Sequence, residues 1–283
     1  MLSSEQQKSI IEEKEIDRVI NINKLPPSLY HYTSFAAFYG MFENKELWLG
    51  NAAFMNDRRE MEDFIDRLKN RVISECGQSE IEKVCDLFDS LEICYPYIMS
   101  FSEYEDDVSL WERYSGDAKG INIEFDTKSF LRCFWNSGGT LNKVSYNYPV
   151  ENHQIFGMIL DYIRDVHKIS KNYIQDQILL QANIKKNKCF ASEKEIRFAT
   201  MWNRTLSNSK KEFKLSGEYI KEYLILDLTA YFEERNMDFT NLIKSIKIGR
   251  QSKEPVIVIK NYLCSKDYDD LADLVINSEC PLR

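Results

Sequence analysis

The chain has 283 residues, enough to bury a large core, and its 43% hydrophobic and 29% charged content excludes a disordered polymer. Acidic residues outnumber basic ones 45 to 37, a net charge of −8, which argues against a protein that coats duplex nucleic acid by neutralising phosphates. The residues up to Glu15 are polar, without the apolar core of a secretory signal, and no run approaches the ~20 apolar residues of a membrane span. Seven scattered cysteines with no C-x-x-C pair, and only three histidines, argue against a disulfide framework and a Cys/His zinc site. The expected setting is therefore the cytoplasm, with no membrane contact.

Ser3 or Ser4 caps a first helix to about Ile22, with Ile10, Ile11, Ile16, Val19 and Ile20 at partly helical spacing. It packs on the main body or on a partner protein. Pro26-Pro27 ends it. Leu29–Thr33 reads as an aromatic, β-branched strand. Ser34 caps a helix through Phe42, and Glu46–Gly50 is a second strand. Asn56-Asp57 turns into a charged helix over Arg58–Cys76, and another helix spans Ser79–Leu91. Tyr97–Ser102 reads as a buried strand, followed by the acidic loop Glu103–Asp107 and a short helix with Leu110, Trp111 and Tyr114. Gly120–Phe125 alternates as a strand, and Lys143–Tyr146 is one more. Val150–Lys188 is helical, as one helix or two. Glu195–Met201 is a strand, then a polar loop runs to about Gly217. Strands recur at Tyr223–Leu228, Ile246–Ile248 and Val256–Ile259, and Asp267–Ile276 closes as a helix. Helices and strands follow no repeating βαβ rhythm. The expected fold is one α+β domain with a mixed or antiparallel sheet core, an N-terminal helix over about 1–25 and a helical insertion at about 150–188.

Four constellations carry candidate chemistry. His31 sits between Tyr30 and Tyr32 and before Thr33, where its ring meets a hydroxyl or phosphate or fills a structural role. Asn56-Asp57 before Arg58-Arg59-Glu60 is a helix cap or a ligand for a hydroxyl. Ser100-Phe101-Ser102 leads to Trp111 and Tyr114, three apart on one helix face, as core or as a wall for a flat base. Glu193, Glu195 and Arg197 point the same way on an extended strand, as an exposed salt-bridged edge or a functional cluster. Two lysine groups, Lys185/Lys186/Lys188 and Lys210/Lys211/Lys214, read as solvated faces. No P-loop, G-x-G-x-x-G or G-x-S-x-G motif occurs.

These segments, in order, resemble a bacterial family catalogued as domain of unknown function twenty-nine seventy-one. The resemblance rests on Leu29–Thr33, Glu46–Leu49, Asn56-Asp57 with Glu60, Ser100–Ser102, Leu110–Tyr114, Gly120-Ile121, Glu193–Arg197 and Ile246–Gly249, and runs from about residue 28 to 263. The opening H-x-T strand, helix and second strand also resemble the start of DNA-modifying ADP-ribosyltransferase toxins, although the second strand reads Leu47-Trp48-Leu49-Gly50 where that superfamily has a serine-rich motif. That second resemblance implies an ADP-ribosyltransferase-like domain over 26–283, with NAD as substrate and no metal. It gives His31 the NAD ribose and Glu195 the late-strand catalytic place. Tyr32, Trp48, Trp111 and Tyr114 compete for the nicotinamide-stacking role, and Arg113 or Arg197 meets the pyrophosphate. Thr33, Asn56, Asp57 and Ser102 complete the expected cofactor-binding set. The implied activity is a toxin or phage-defence effector modifying nucleic acid or protein, with a regulatory partner as a further expectation. A non-catalytic nucleotide- or partner-binding module and a metal-dependent nuclease using Asp57, Glu60, Glu193, Glu195 and Lys194 are the alternatives.

Overall fold

The computed structural model describes residues 4–54, 58–91, 95–135, 137–146, 154–166, 168–202, 209–216 and 218–281. Helix α1 (Ser4–Asn23) leads into β1 (Ser28–Thr33), α2 (Phe35–Asn44) and β2 (Glu46–Asn51). Then come α3 (Arg58–Glu75), α4 (Ile81–Asp89), β3 (Tyr97–Ser102), α5 (Val108–Tyr114), β4 (Ile121–Asp126), α6 (Thr127–Cys133) and β5 (Thr140–Lys143). The second half runs α7 (Gln154–Ile163), α8 (Lys171–Ala182), β6 (Glu195–Thr200), β7 (Ser209–Ser216), β8 (Tyr219–Asp227) and α9 (Leu228–Arg235). It closes with α10 (Phe239–Leu242), β9 (Ile243–Ile248), α11 (Val256–Cys264), α12 (Asp269–Asp273) and β10 (Val275–Asn277).

The fold is α+β around one mixed ten-stranded sheet, ordered β10-β9-β4-β1-β3-β2-β8-β7, with β6 and β5 branching from β3. Among the described strands, β9 and β10 alone pair in parallel. Strand β3 is the branch point. It pairs with β1 at the single position Tyr30↔Ser102, with β2 at Gly50↔Ile98 and Asn51↔Tyr97, and with β6 over its whole length. Period-two alternation then feeds two cores from the same strands. Met99, Phe101, Ile196 and Phe198 enter a large core with α1, α2, α6 and α9–α12. Ile98 and Ala199 enter a second core with α3, α4, α7 and α8.

Local chemistry explains most boundaries. Ser34 caps α2 by accepting from the Ala37 amide at 3.2 Å, and Asp107 caps α5 through the Ser109 and Leu110 amides at 2.9 and 3.1 Å. Helix α1 packs on the body: Ile16 is buried, and Glu12 and Glu13 pair with Arg235 and Arg132. The helical stretch near 150–188 is two helices, α7 and α8. At Gly120 a Cβ would lie 2.2 Å from the Thr33 carbonyl oxygen, so only glycine permits β4 to start so close to the end of β1.

Four readings are corrected. Val256–Ile259 is helical because Pro255 precedes it and Ile259 and Leu263, one turn apart, bury together. The expected polar loop before Gly217 contains β7, whose pairing with β8 outweighs its lysines. The expected final helix stops at Asp273, and Val275–Asn277 pairs with β9 instead. The strand expected at Lys143–Tyr146 is β5, which ends at Lys143; beyond it Ser145 keeps one bridge to Lys185.

Candidate functional site

Strands β1 and β3 share one residue pair and then diverge. Where the ladder stops, the His31 side chain takes over: its Nδ1–H donates to the Ser100 carbonyl oxygen at 2.9 Å. That bond fixes the tautomer and leaves Nε2 as an acceptor. Burial, only partly offset by this bond, lowers the His31 pKa, so the ring is neutral at pH 7.

A cavity of about 270 Å³ occupies the split. Tyr30, His31 and Tyr32 of β1, Ser100, Phe101 and Ser102 of β3, and Leu110 and Tyr114 of α5 line it. Lys186, Phe190, Glu193 and Glu195 close it. Residues of three of the four constellations, those at 30–32, 100–114 and 193–195, therefore meet in one place. Four tyrosine or phenylalanine rings besides Tyr32 and the histidine make its wall largely aromatic.

A buried ionic network forms one side. Lys186 Nζ lies 2.6 Å from Glu193 Oε2 and 3.0 Å from Glu195 Oε2. Arg197 grips Glu195 through Nε at 2.8 Å and Nη2 at 3.1 Å, and its Nη1 donates to the Asn183 carbonyl. Arg113 Nη1 and the Tyr114 hydroxyl both donate to Glu193 Oε1 at 2.9 Å. Ser102 Oγ donates to the Glu193 carbonyl oxygen at 2.7 Å and accepts from the Tyr104 amide at 3.0 Å. The Tyr146 hydroxyl accepts the Glu195 amide proton at 2.9 Å.

This network excludes the exposed salt-bridged edge, one of the two readings of these residues. Glu193, Glu195 and Arg197 are 2%, 7% and 2% exposed. Two buried carboxylates would each cost several kcal/mol unless paired, which is why Lys186 is drawn inward with them. Glu193 is not on the strand either. It ends a 3-10 turn over Lys188–Glu193, and Lys194 follows in the left-handed region at φ 45°, which costs on the order of 1 kcal/mol and turns Glu193 back beside Glu195.

The electrostatics follow from these contacts. Burial would raise the Glu195 carboxyl, but Arg197 and Lys186 more than offset it and hold it at about 2. Burial likewise disfavours the Lys186 ammonium, but Glu195 and Glu193 outweigh it and raise its pKa. The Tyr114 phenol is pushed up by burial and by Glu193, and Tyr146 is pushed up to about 12, chiefly by burial. Glu195 is thus a permanent anion at physiological pH with its oxygens already engaged, not a proton acceptor.

Other expected site residues fall elsewhere. Trp111 is fully buried behind the cavity, edge-on to Tyr32 at 5.1 Å, with Nε1 donating to Asp106 at 2.5 Å. It is core, because α5 turns Tyr114 outward and Trp111 inward. Trp48 lies on β2 beside Tyr223 of β8, on another part of the sheet, so it does not line the cavity. Thr33 and Arg197 do not line it, and Arg197 is too buried to meet a phosphate. Arg113 reaches Glu193 from a half-exposed position. Asn56 and Asp57 lie outside the described residues. Lys186, read as part of a solvated face, was missed. The pattern of Lys186 seven residues before Glu193 and nine before Glu195 was the available signal, hidden because a Lys-Lys pair ordinarily faces water.

No group of three or more potential metal ligands occurs among the described residues. The two carboxylates fit a metal poorly on their own chemistry, since Lys186, Arg113 and Arg197 already neutralise them. No helix among the described residues is long and apolar enough to cross a membrane.

Residues 110–198 match the model of the family described as "Protein of unknown function (DUF2971)". The match upholds the family resemblance over this stretch and takes in Leu110–Tyr114, Lys186 and Glu193–Arg197. The His31 strand precedes it. No curated protein matches the chain, and no solved structure matches it.

Proposed function

We propose that this chain, with its family signature on two walls of the cavity, binds the nicotinamide–ribose end of NAD or a related nucleoside there and acts as an ADP-ribosyltransferase-like effector. The observation that carries the reading is the convergence of neutral His31, an aromatic wall and the Glu193/Glu195 pair on one cavity. At about 270 Å³ it sits near the lower end of the ~300–1,000 Å³ typical of ligand pockets, which suits a ring and a sugar better than a whole dinucleotide. His31 Nε2 accepts from a ribose hydroxyl. Tyr114 or Phe190 flanks the ring. Arg113, half-exposed, meets the pyrophosphate.

In this reading the bond between nicotinamide nitrogen and ribose carbon breaks, neutral nicotinamide leaves with the electron pair, and an acceptor oxygen or nitrogen attacks. The acceptor, on nucleic acid or protein, or else water, loses its proton to solvent or to its own base. Glu195 serves by charge and position, because a carboxyl held at about 2 takes no proton near neutrality. The test is nicotinamide release from NAD by purified protein, with and without DNA, RNA and lysate. Release that falls at least about a hundredfold in Glu195→Gln, with its fold verified, supports the reading. Release unchanged in that variant, or none in the wild type, rejects it.

One observation favours a second reading, a nucleotide-binding module without chemistry. Both Glu195 oxygens are occupied by Arg197 and Lys186, as in a structural clamp. NAD binding without turnover would select it.

A further inference from the structure

Strand β7 ends the sheet, and β8 is its only neighbour among the described strands. An eight-residue free edge is long, and natural edges are usually blunted by proline, a bulge or outward-reaching lysines. Here the lysines are drawn back onto their own chain. Lys210 pairs with Glu46 at 3.1 Å, Lys211 with Glu222 at 3.0 Å, and Lys214 lies over the Trp48 ring at 3.7 Å. Glu212 has no cation partner among the described residues. Phe213, Leu215 and Ile220 are 58%, 76% and 64% exposed. The register Leu215↔Ile220 places these three on one face of the hairpin, continuing the face that buries Leu224 and Leu226.

We infer that β7 is a self-association edge whose partner is a second copy of this chain, paired antiparallel about a two-fold axis at Phe213. The charge pattern selects that register. Centred on Phe213, the axis sets Phe213 against the partner's Phe213, Glu212 against the partner's Lys214, and Lys211 against the partner's Leu215. Symmetry makes the Glu–Lys pair twice, each Lys214 exchanging its place over the Trp48 ring for the partner's Glu212. An axis at Glu212 opposes that residue to itself and Lys210 to the partner's Lys214. An axis at Lys211 or Lys214 opposes two lysines at its centre. An axis at Leu215 leaves only Lys214–Ser216 to pair. Opposite charges directly across a ladder stabilise and like charges destabilise, so only the Phe213 register uses the strand's length without penalty. The two apolar strips then join across the axis. Strand β7 is three strand spacings from β3, about 14 Å, so the cavity of each copy stays open.

The test is sedimentation velocity of the full chain from about 1 to about 100 µM, the range of weak specific complexes, with three charge variants. The wild type is expected to dimerise with concentration. Lys214→Glu and Glu212→Lys should each weaken the dimer at least about tenfold, and the double swap should restore it to within about threefold. The Glu212→Lys arm leaves the Lys214–Trp48 contact untouched and lies on the hairpin surface, so that variant should keep the wild-type unfolding midpoint. A monomer at every concentration, a dimer indifferent to both single changes, or a double swap no better than the singles overturns the inference.

Discussion

Two lysine groups of similar composition end in opposite surroundings. Lys185 and Lys186 are 5% and 6% exposed, between α8 and the start of β6. Lys210, Lys211 and Lys214 lie along the edge strand β7. The neighbours make the difference. Glu193 and Glu195 must be buried at the base of the cavity, and a buried carboxylate recruits a buried cation. The edge lysines meet Glu46, Glu222 and Trp48 at the surface, where an ion pair adds ~0–1 kcal/mol. A lysine pair is thus no evidence of a solvated face until the carboxylates downstream are placed.

The sharpest way to break this comparison is to remove one cation from each group. Lys186→Met leaves two carboxylates short of a partner and should cost roughly 3–5 kcal/mol in denaturant unfolding, whereas Lys210→Met should stay within about 0.5 kcal/mol. Equal effects would mean that the buried network carries no special weight. A smaller effect is expected within the network from Tyr114→Phe, which removes one hydrogen bond to Glu193 and should cost about 1–2 kcal/mol in the same assay.

Acid sensitivity sharpens the comparison further. Glu195 sits at about 2 in the folded chain against an ordinary 4.5. Its contribution is therefore complete above about 4.5 and is lost as pH falls towards 2. Glu195→Gln should flatten that limb of a plot of unfolding free energy against pH; an unchanged limb would contradict the pairing with Arg197. Lys185 repeats the same sign at the alkaline end. Burial lowers its pKa to about 8 from 10.5, so between those values the unfolded chain binds more protons and stability rises with pH. Lys185→Met should remove that alkaline gain, visible as a change in slope between pH 8 and 10.

Much of the architecture was legible in the chain. Ser34 announced a helix start, and the alternation at Gly120–Phe125 announced β4. The α+β class and the N-terminal helix followed from irregular order and from periodicity. What was not legible depended on partners distant in sequence. Val256–Ile259 looks like a strand by residue type, and only its burial against α12 and the sheet shows the helical face. Ser209–Ser216 looks like a loop because the lysines that decorate an edge strand also decorate loops. At the site, several of the aromatic and acidic residues were visible, including His31, Tyr114 and Glu195. The inward turn of Lys186 was not, because it depends on the left-handed Lys194 that returns Glu193 to the side of Glu195. Nor was the separation of Trp111 from Tyr114, since a short helix against a cavity sends residues three apart to core and rim.

The split between β1 and β3, with His31 at its throat, is proposed as a nucleoside pocket. Calorimetric titration of NAD into wild type and His31→Ala tests it most directly. Saturable binding to the wild type is expected, with at least about tenfold weaker binding to the variant, the loss of one buried hydrogen bond, measured on variant protein verified as folded. Equal affinity for both proteins, or no binding to the wild type, would contradict it.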